Sequence, residues 1–123
     1  MSKPPVHLNL FKIQLPVAGI SSILHRISAV GIFLLFLPFS IILVMATNSE
    51  EGYALASFIM HLNIFKIFLI LLITGLTYHF ISGIRHLVMD FGYWDTLKAG
   101  KISAITIIVL SILVSFIFAV IIW

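Results

Sequence analysis

The chain has 123 residues, 62% of them hydrophobic and only 9% charged, and its mean hydropathy of +1.25 is one that no water-soluble domain of this size tolerates on its surface. A soluble active site is excluded, and there is room for about three membrane spans at about 20 residues each, so the expected fold class is all-α, an integral membrane protein with three transmembrane helices. Cysteine is absent, which excludes disulfides, thiolate metal ligands and thioether-linked haem, while the formal net charge of +3 reports membrane topology rather than nucleic-acid binding.

Residues 1–18 read as a cytoplasmic or interfacial segment. Lys3, Pro4, Pro5, His7 and Lys12 make its first part polar, and it lacks the apolar core and small-residue cleavage site of a secretory signal, so it is expected to stay on the mature protein. Phe11, Ile13 and Leu15 ahead of Pro16 suggest an extended approach to the membrane. Residues 19–123 form one three-span domain. The first span is expected over 19–46, with Ser21, Ser22, His25 and Arg26 in its opening turns. Pro38 lies inside it, which a membrane helix tolerates with a kink.

The stretch TNSEEG, Thr47 to Gly52, reads as the loop after the first span, because it collects turn formers and two acids but no lysine or arginine. The second span runs from Tyr53 or Leu62 to Met89. In the shorter version it covers 62–89, and the weakly polar stretch Tyr53 to His61 lies in the interface. Lys66 near that end can snorkel. Asp90 to Lys101, with Gly92, Lys98 and Gly100, reads as the second connection, and 102–123 is the last span, closed by Trp123 at the interface.

Cations set the orientation. Lys3, Lys12 and Arg26 stand at the start, Arg85, Lys98 and Lys101 surround the second connection, and the first connection holds none. The positive-inside rule therefore puts the N-terminus in the cytoplasm and the C-terminus outside. It also brings the polar opening of the first span and the polar close of the second to the same membrane face.

That polar close is the run YHFISGIRHLVMDFG, Tyr78 to Gly92. Ionisable groups at membrane depth are expensive and persist where they face a protein interior, a cofactor or water. At about 100° per residue, Gly75, His79, Gly83 and His86 share one helical stripe. Glycine one turn above and below His79 leaves space for a flat macrocycle while the imidazole reaches its metal, as an axial histidine does for haem iron. The same spacing also serves plain helix packing in a bilayer, and both readings stand on the stripe alone.

Ser22 precedes Arg26 by one turn on the same face, and no acid lies near Arg26 in sequence. A hydroxyl and a guanidinium placed so can hold a quinone carbonyl and stabilise the charge that reduction puts on it. His25 and Arg26 are equally suited to haem propionates. Against these stand a headgroup anchor for Arg26 and helix entry for Ser22.

SSILHRIS at Ser21 to Ser28, with H-x-x-x-G-I-R-H-L-x-M-D-x-G from His79 to Gly92, resembles the paired signature of the cytochrome b membrane-anchor subunit of succinate dehydrogenase, respiratory complex II, in its bacterial form. The resemblance covers Pro4 to Trp123. It implies that His79 is an axial ligand of haem b, with the opposite ligand on a second membrane-anchor subunit. It further implies that Ser22 and Arg26 line the ubiquinone site beside the iron-sulfur subunit, that His25 and Arg26 approach the haem propionates, and that His86 lies near the haem without ligating it. Two positions depart from the family pattern: Pro4 replaces a usual arginine, and Ala29 replaces a common glycine.

The expected function is thus a non-catalytic subunit for succinate itself, which anchors a flavoprotein and an iron-sulfur subunit to the bacterial inner membrane and passes electrons to ubiquinone. Succinate oxidation needs a flavin site, and the chain has neither a Gly-rich nucleotide fingerprint nor the length for one. Its partners are those two subunits, the second anchor and membrane lipid. The rivals are a quinol:fumarate reductase anchor and a haem-free structural anchor.

Overall fold

The computed structural model describes residues 15–94 and 96–123. The expected extended segment around Phe11 and the departure at Pro4 lie outside the described residues. Among those described, four helices follow one another: α1 Val17–Asn48, α2 Glu50–His61, α3 Asn63–Asp90 and α4 Leu97–Ile122. Three of them, α1, α3 and α4, are long and apolar enough to cross a membrane. This is an all-α membrane protein.

Pro16 opens α1 from an extended conformation, φ −63° and ψ 151°, and its carbonyl accepts from the Gly19 and Ile20 amides at 2.8 and 3.1 Å. Proline suits a helix entry because the amide it lacks has no partner there in any case. Pro38 sits within α1, and the helix runs on through it.

The TNSEEG loop shrinks to one residue. Thr47 and Asn48 belong to α1 and Glu50 to Gly52 to α2, with only Ser49 extended between them. The reason is local chemistry: the Ser49 hydroxyl accepts from the Gly52 amide at 2.9 Å, and Glu50 and Glu51 stand in the first turn, where the helix dipole favours negative charge. A turn and a helix start use the same residue types. A Cβ on Gly52 would collide with the Met45 carbonyl, so glycine is what lets α2 fold back against the end of α1.

The chain breaks again at Leu62 (φ −66°, ψ 134°), which separates the short α2 from α3. At the far end of α3, Gly92 takes φ +83° and Trp94 φ +60°, a left-handed pair that turns the chain toward α4. The expected connection to Lys101 ends five residues early, because Thr96 caps α4 by accepting from the Ala99 amide at 3.2 Å. Gly100, read as a loop residue, is instead buried where α4 meets α3.

Helix α3 packs between α1 and α4. Its antiparallel run beside α4 shows in Lys66, near the start of α3, whose ammonium lies 5.6 Å from the ring of Trp123 just beyond α4. The interior is small and polar: Ser21, Ser82, Arg85 and Ser111 are buried together with Ala56, Phe65, Leu72, Ala104 and Ile107. Large side chains such as Ile41, Ile64 and Phe80 face outward, the distribution expected of helices that pack through small residues within lipid.

Candidate functional site

Helix α3 clamps onto α1 through successive residues. Tyr78 Oη donates to the Ser21 carbonyl at 2.9 Å and lies 3.1 Å from Ser21 Oγ. One residue on, His79 Nδ1 lies 3.2 Å from the His25 carbonyl and 3.1 Å from Ser28 Oγ. The Ser28 hydroxyl donates to that same carbonyl at 2.6 Å. Two α3 side chains thus engage carbonyls one turn apart on α1, and the polar opening of α1 meets the polar close of α3.

The histidines gather here. The His25 ring stacks on His79 with centroids 4.1 Å apart and planes 10° from parallel, and His86 lies 5.0 Å from His25 at 53°. All three are half-buried. His25 Nε2 and His86 Nε2 are buried without a hydrogen-bond partner among the described residues, an expensive condition for a polar atom. Because His79 Nδ1 faces two oxygens on α1, it is the nitrogen that carries the proton, and Nε2 keeps its lone pair.

The glycine stripe is not open space. A Cβ on Gly75 would come within 3.3 Å of Ile32 Cγ1, and one on Gly83 within 3.5 Å of His25 Nε2. Each glycine thus has one α1 side-chain atom close by, tight at Gly75 and at ordinary contact distance at Gly83, as close helix packing requires. Ser22 is half-buried and Arg26 exposed on the same helix, and among the described residues neither makes a hydrogen bond within the histidine cluster.

Arg85, given no individual role in the sequence beyond its place in the polar close of the second span and its topological charge, is 2% exposed. Its Nε donates to Ser103 Oγ at 3.0 Å and its Nη2 to the Gly100 carbonyl at 3.1 Å. The fork ties α3 to the first turns of α4. A groove of about 460 Å³ opens beside this seam, lined by Ile84, Arg85, Trp94, Ile102 and Thr106 among others; it is apolar and holds no histidine. Sequence reasoning also gave no role to Ser28 or Tyr78, although a serine inside a helix can bond its hydroxyl back to a carbonyl three or four residues earlier, as Ser40 and Ser115 also do here.

Comparison with known proteins identifies the family. The family model described as succinate dehydrogenase/fumarate reductase transmembrane subunit matches residues 2–118. The chain is 37% identical over 123 residues to the succinate dehydrogenase cytochrome b556 subunit of Coxiella burnetii, covering 99% of this chain and 98% of that one. It is 33% identical over 111 residues to the cytochrome b556 subunit of Rickettsia felis, covering 89% and 83%. With the succinate dehydrogenase cytochrome b560 subunit of Chondrus crispus it shares 29% identity over 120 residues, covering 94% of each. On this evidence the chain belongs to the family of succinate dehydrogenase/fumarate reductase transmembrane subunits.

Proposed function

We propose that this chain is the haem b- and ubiquinone-binding anchor of a succinate dehydrogenase. With a second membrane-anchor subunit it holds an iron-sulfur and a flavoprotein subunit on the cytoplasmic face of a bacterial inner membrane, and it carries electrons from the iron-sulfur subunit to ubiquinone. The observation that carries the reading is the contact at His79: Nδ1 lies 3.2 Å from the His25 carbonyl, which can only accept, so a neutral ring there keeps its lone pair on Nε2. A ligating histidine is oriented in this way by a bond from its other ring nitrogen. When bound, the haem supplies a one-electron store between donor and quinone.

The residues present suit that group. His79 would hold the haem iron through Nε2, and a ligand from the second anchor subunit would complete the site. The unpartnered Nε2 atoms of His25 and His86 are donors or acceptors awaiting a polar partner; we assign His25, with Arg26, to the propionates and His86 to the haem's surroundings. Ser22 and Arg26, one turn apart on α1, bind the quinone carbonyl and stabilise the negative charge it gains. The relatives' names favour succinate oxidation over fumarate reduction as the direction of flow.

In the purified complex, His79→Leu abolishes or alters the low-spin b-type absorption spectrum, whereas replacing His61, whose Nδ1 donates to the Ser57 carbonyl of its own helix at 2.7 Å, leaves it intact. An unchanged spectrum in the assembled His79 variant would falsify the ligand assignment. Orientation is tested separately: a reporter fused after Lys101 reads as cytoplasmic and one after Trp123 as external. The reverse pattern removes the path from a cytoplasmic iron-sulfur donor.

A further inference from the structure

The proton arrangement around His79 depends on a residue with no assigned role. Ser28 follows His25 by three residues in α1 and donates its one hydroxyl proton to the His25 carbonyl at 2.6 Å. With that proton committed, Ser28 Oγ presents only lone pairs to His79 Nδ1, 3.1 Å away. The His25 carbonyl, 3.2 Å from the same nitrogen, has only lone pairs to offer. Two acceptors therefore converge on one ring nitrogen, and an imidazole so placed has its proton on Nδ1 and its lone pair on Nε2. Both contacts lie at the long end of the N–H···O range, as expected when one N–H is shared between two oxygens.

We propose that Ser28 is a positioning residue for His79, fixing its tautomer and ring orientation and setting how strongly Nε2 donates to a metal. The inference rests on the reading of His79 as the haem ligand. Acceptors at Nδ1–H push electron density into the ring and raise the basicity of the ligating nitrogen, and such outer partners tune both affinity and potential. Taking away one of two acceptors leaves the ring a poorer donor, which favours ferrous over ferric iron.

The test uses the full complex with haem content normalised to flavin, and compares Ser28→Thr with Ser28→Val. The two side chains have the same shape, and only threonine keeps a hydroxyl able to bond the carbonyl three residues back. Redox titration and the low-spin EPR signal are the readouts. Ser28→Thr retains the wild-type midpoint potential and g values, while Ser28→Val and Ser28→Ala hold haem with a midpoint potential shifted upward and altered g values. A potential in Ser28→Val that is unchanged or lowered relative to Ser28→Thr overturns the proposal. Failure of the ligand reading is distinguishable, because there the b-type spectrum survives His79→Leu whatever the Ser28 variants do.

Discussion

Along α3, Tyr78 and His79 turn to α1 and Arg85 turns to α4. The Arg85 guanidinium is among the most buried side chains described, yet it is bonded to Ser103 and to Gly100. The histidines on the other side are less buried, yet two of their ring nitrogens lack any partner among the described residues. Depth alone does not mark a functional group in a membrane helix bundle. A missing partner alone does not mark one either, since Ser82 Oγ and Ser111 Oγ are also buried without one among the described residues. What sets the histidine side apart is that its unpartnered nitrogens lie in a cluster of three rings.

That contrast breaks most visibly at Arg26. If it acts on the quinone, Arg26→Leu lowers succinate-to-quinone turnover by about 30- to 1,000-fold, equivalent to about 2–4 kcal/mol for a lost charge-assisted bond to developing charge. Succinate oxidation through an artificial acceptor at the flavoprotein stays near wild type. Ser22→Ala moves the same assay in the same direction by less, since its bond is neutral. Normal quinone turnover in an assembled Arg26→Leu complex makes this residue a headgroup anchor.

Arg85→Leu has the opposite profile. It removes two charge-assisted bonds of about 1.5–3 kcal/mol each, offset in part by relief from burying a cation, so the net loss is about 2 kcal/mol of stability. A lowered thermal midpoint of the complex, with haem spectrum and quinone turnover preserved in what survives, is the expected result. Loss of quinone turnover in a stable Arg85→Leu complex erases the distinction between the two seams. The smallest effect belongs to Gly83→Ala. Its new methyl meets His25 Nε2 at an ordinary contact distance of 3.5 Å, so assembly and spectrum remain as in the wild type. Gly75→Ala asks Ile32 to yield a few tenths of an ångström from its tighter 3.3 Å and costs slightly more. A displaced haem signature in Gly83→Ala returns the macrocycle to the gap beside that glycine.

The membrane-spanning segments were legible because a bilayer demands long apolar runs, and the meeting of the polar opening of α1 with the polar close of α3 followed from topology, although which side chains touch there, His25 on His79 among them, did not. Boundaries were less legible where caps and turns share residue types. Ser49 with Glu50 and Glu51, and Thr96 ahead of Leu97, looked like loop and proved to start helices. The glycine stripe was found, but its occupants, Ile32 and His25, stand on another helix and are fixed only by how α1 packs. Arg85 was opaque for the same reason: its partners lie 15 and 18 residues away, and only the register of α4 against α3 brings them within reach.

The sparse apolar interior also bears on calorimetry. Among the described residues, Ala56, Phe65, Leu72, Ala104 and Ile107 are the buried hydrophobic side chains, and most large ones already face outward. Heat-capacity increments on unfolding arise mainly from apolar surface newly wetted, and helices that separate inside a bilayer exchange protein neighbours for acyl chains rather than for water. Dissociation of this bundle in lipid therefore carries a small increment and a nearly temperature-independent enthalpy, so its stability curve is flatter than that of a soluble helical domain of equal length.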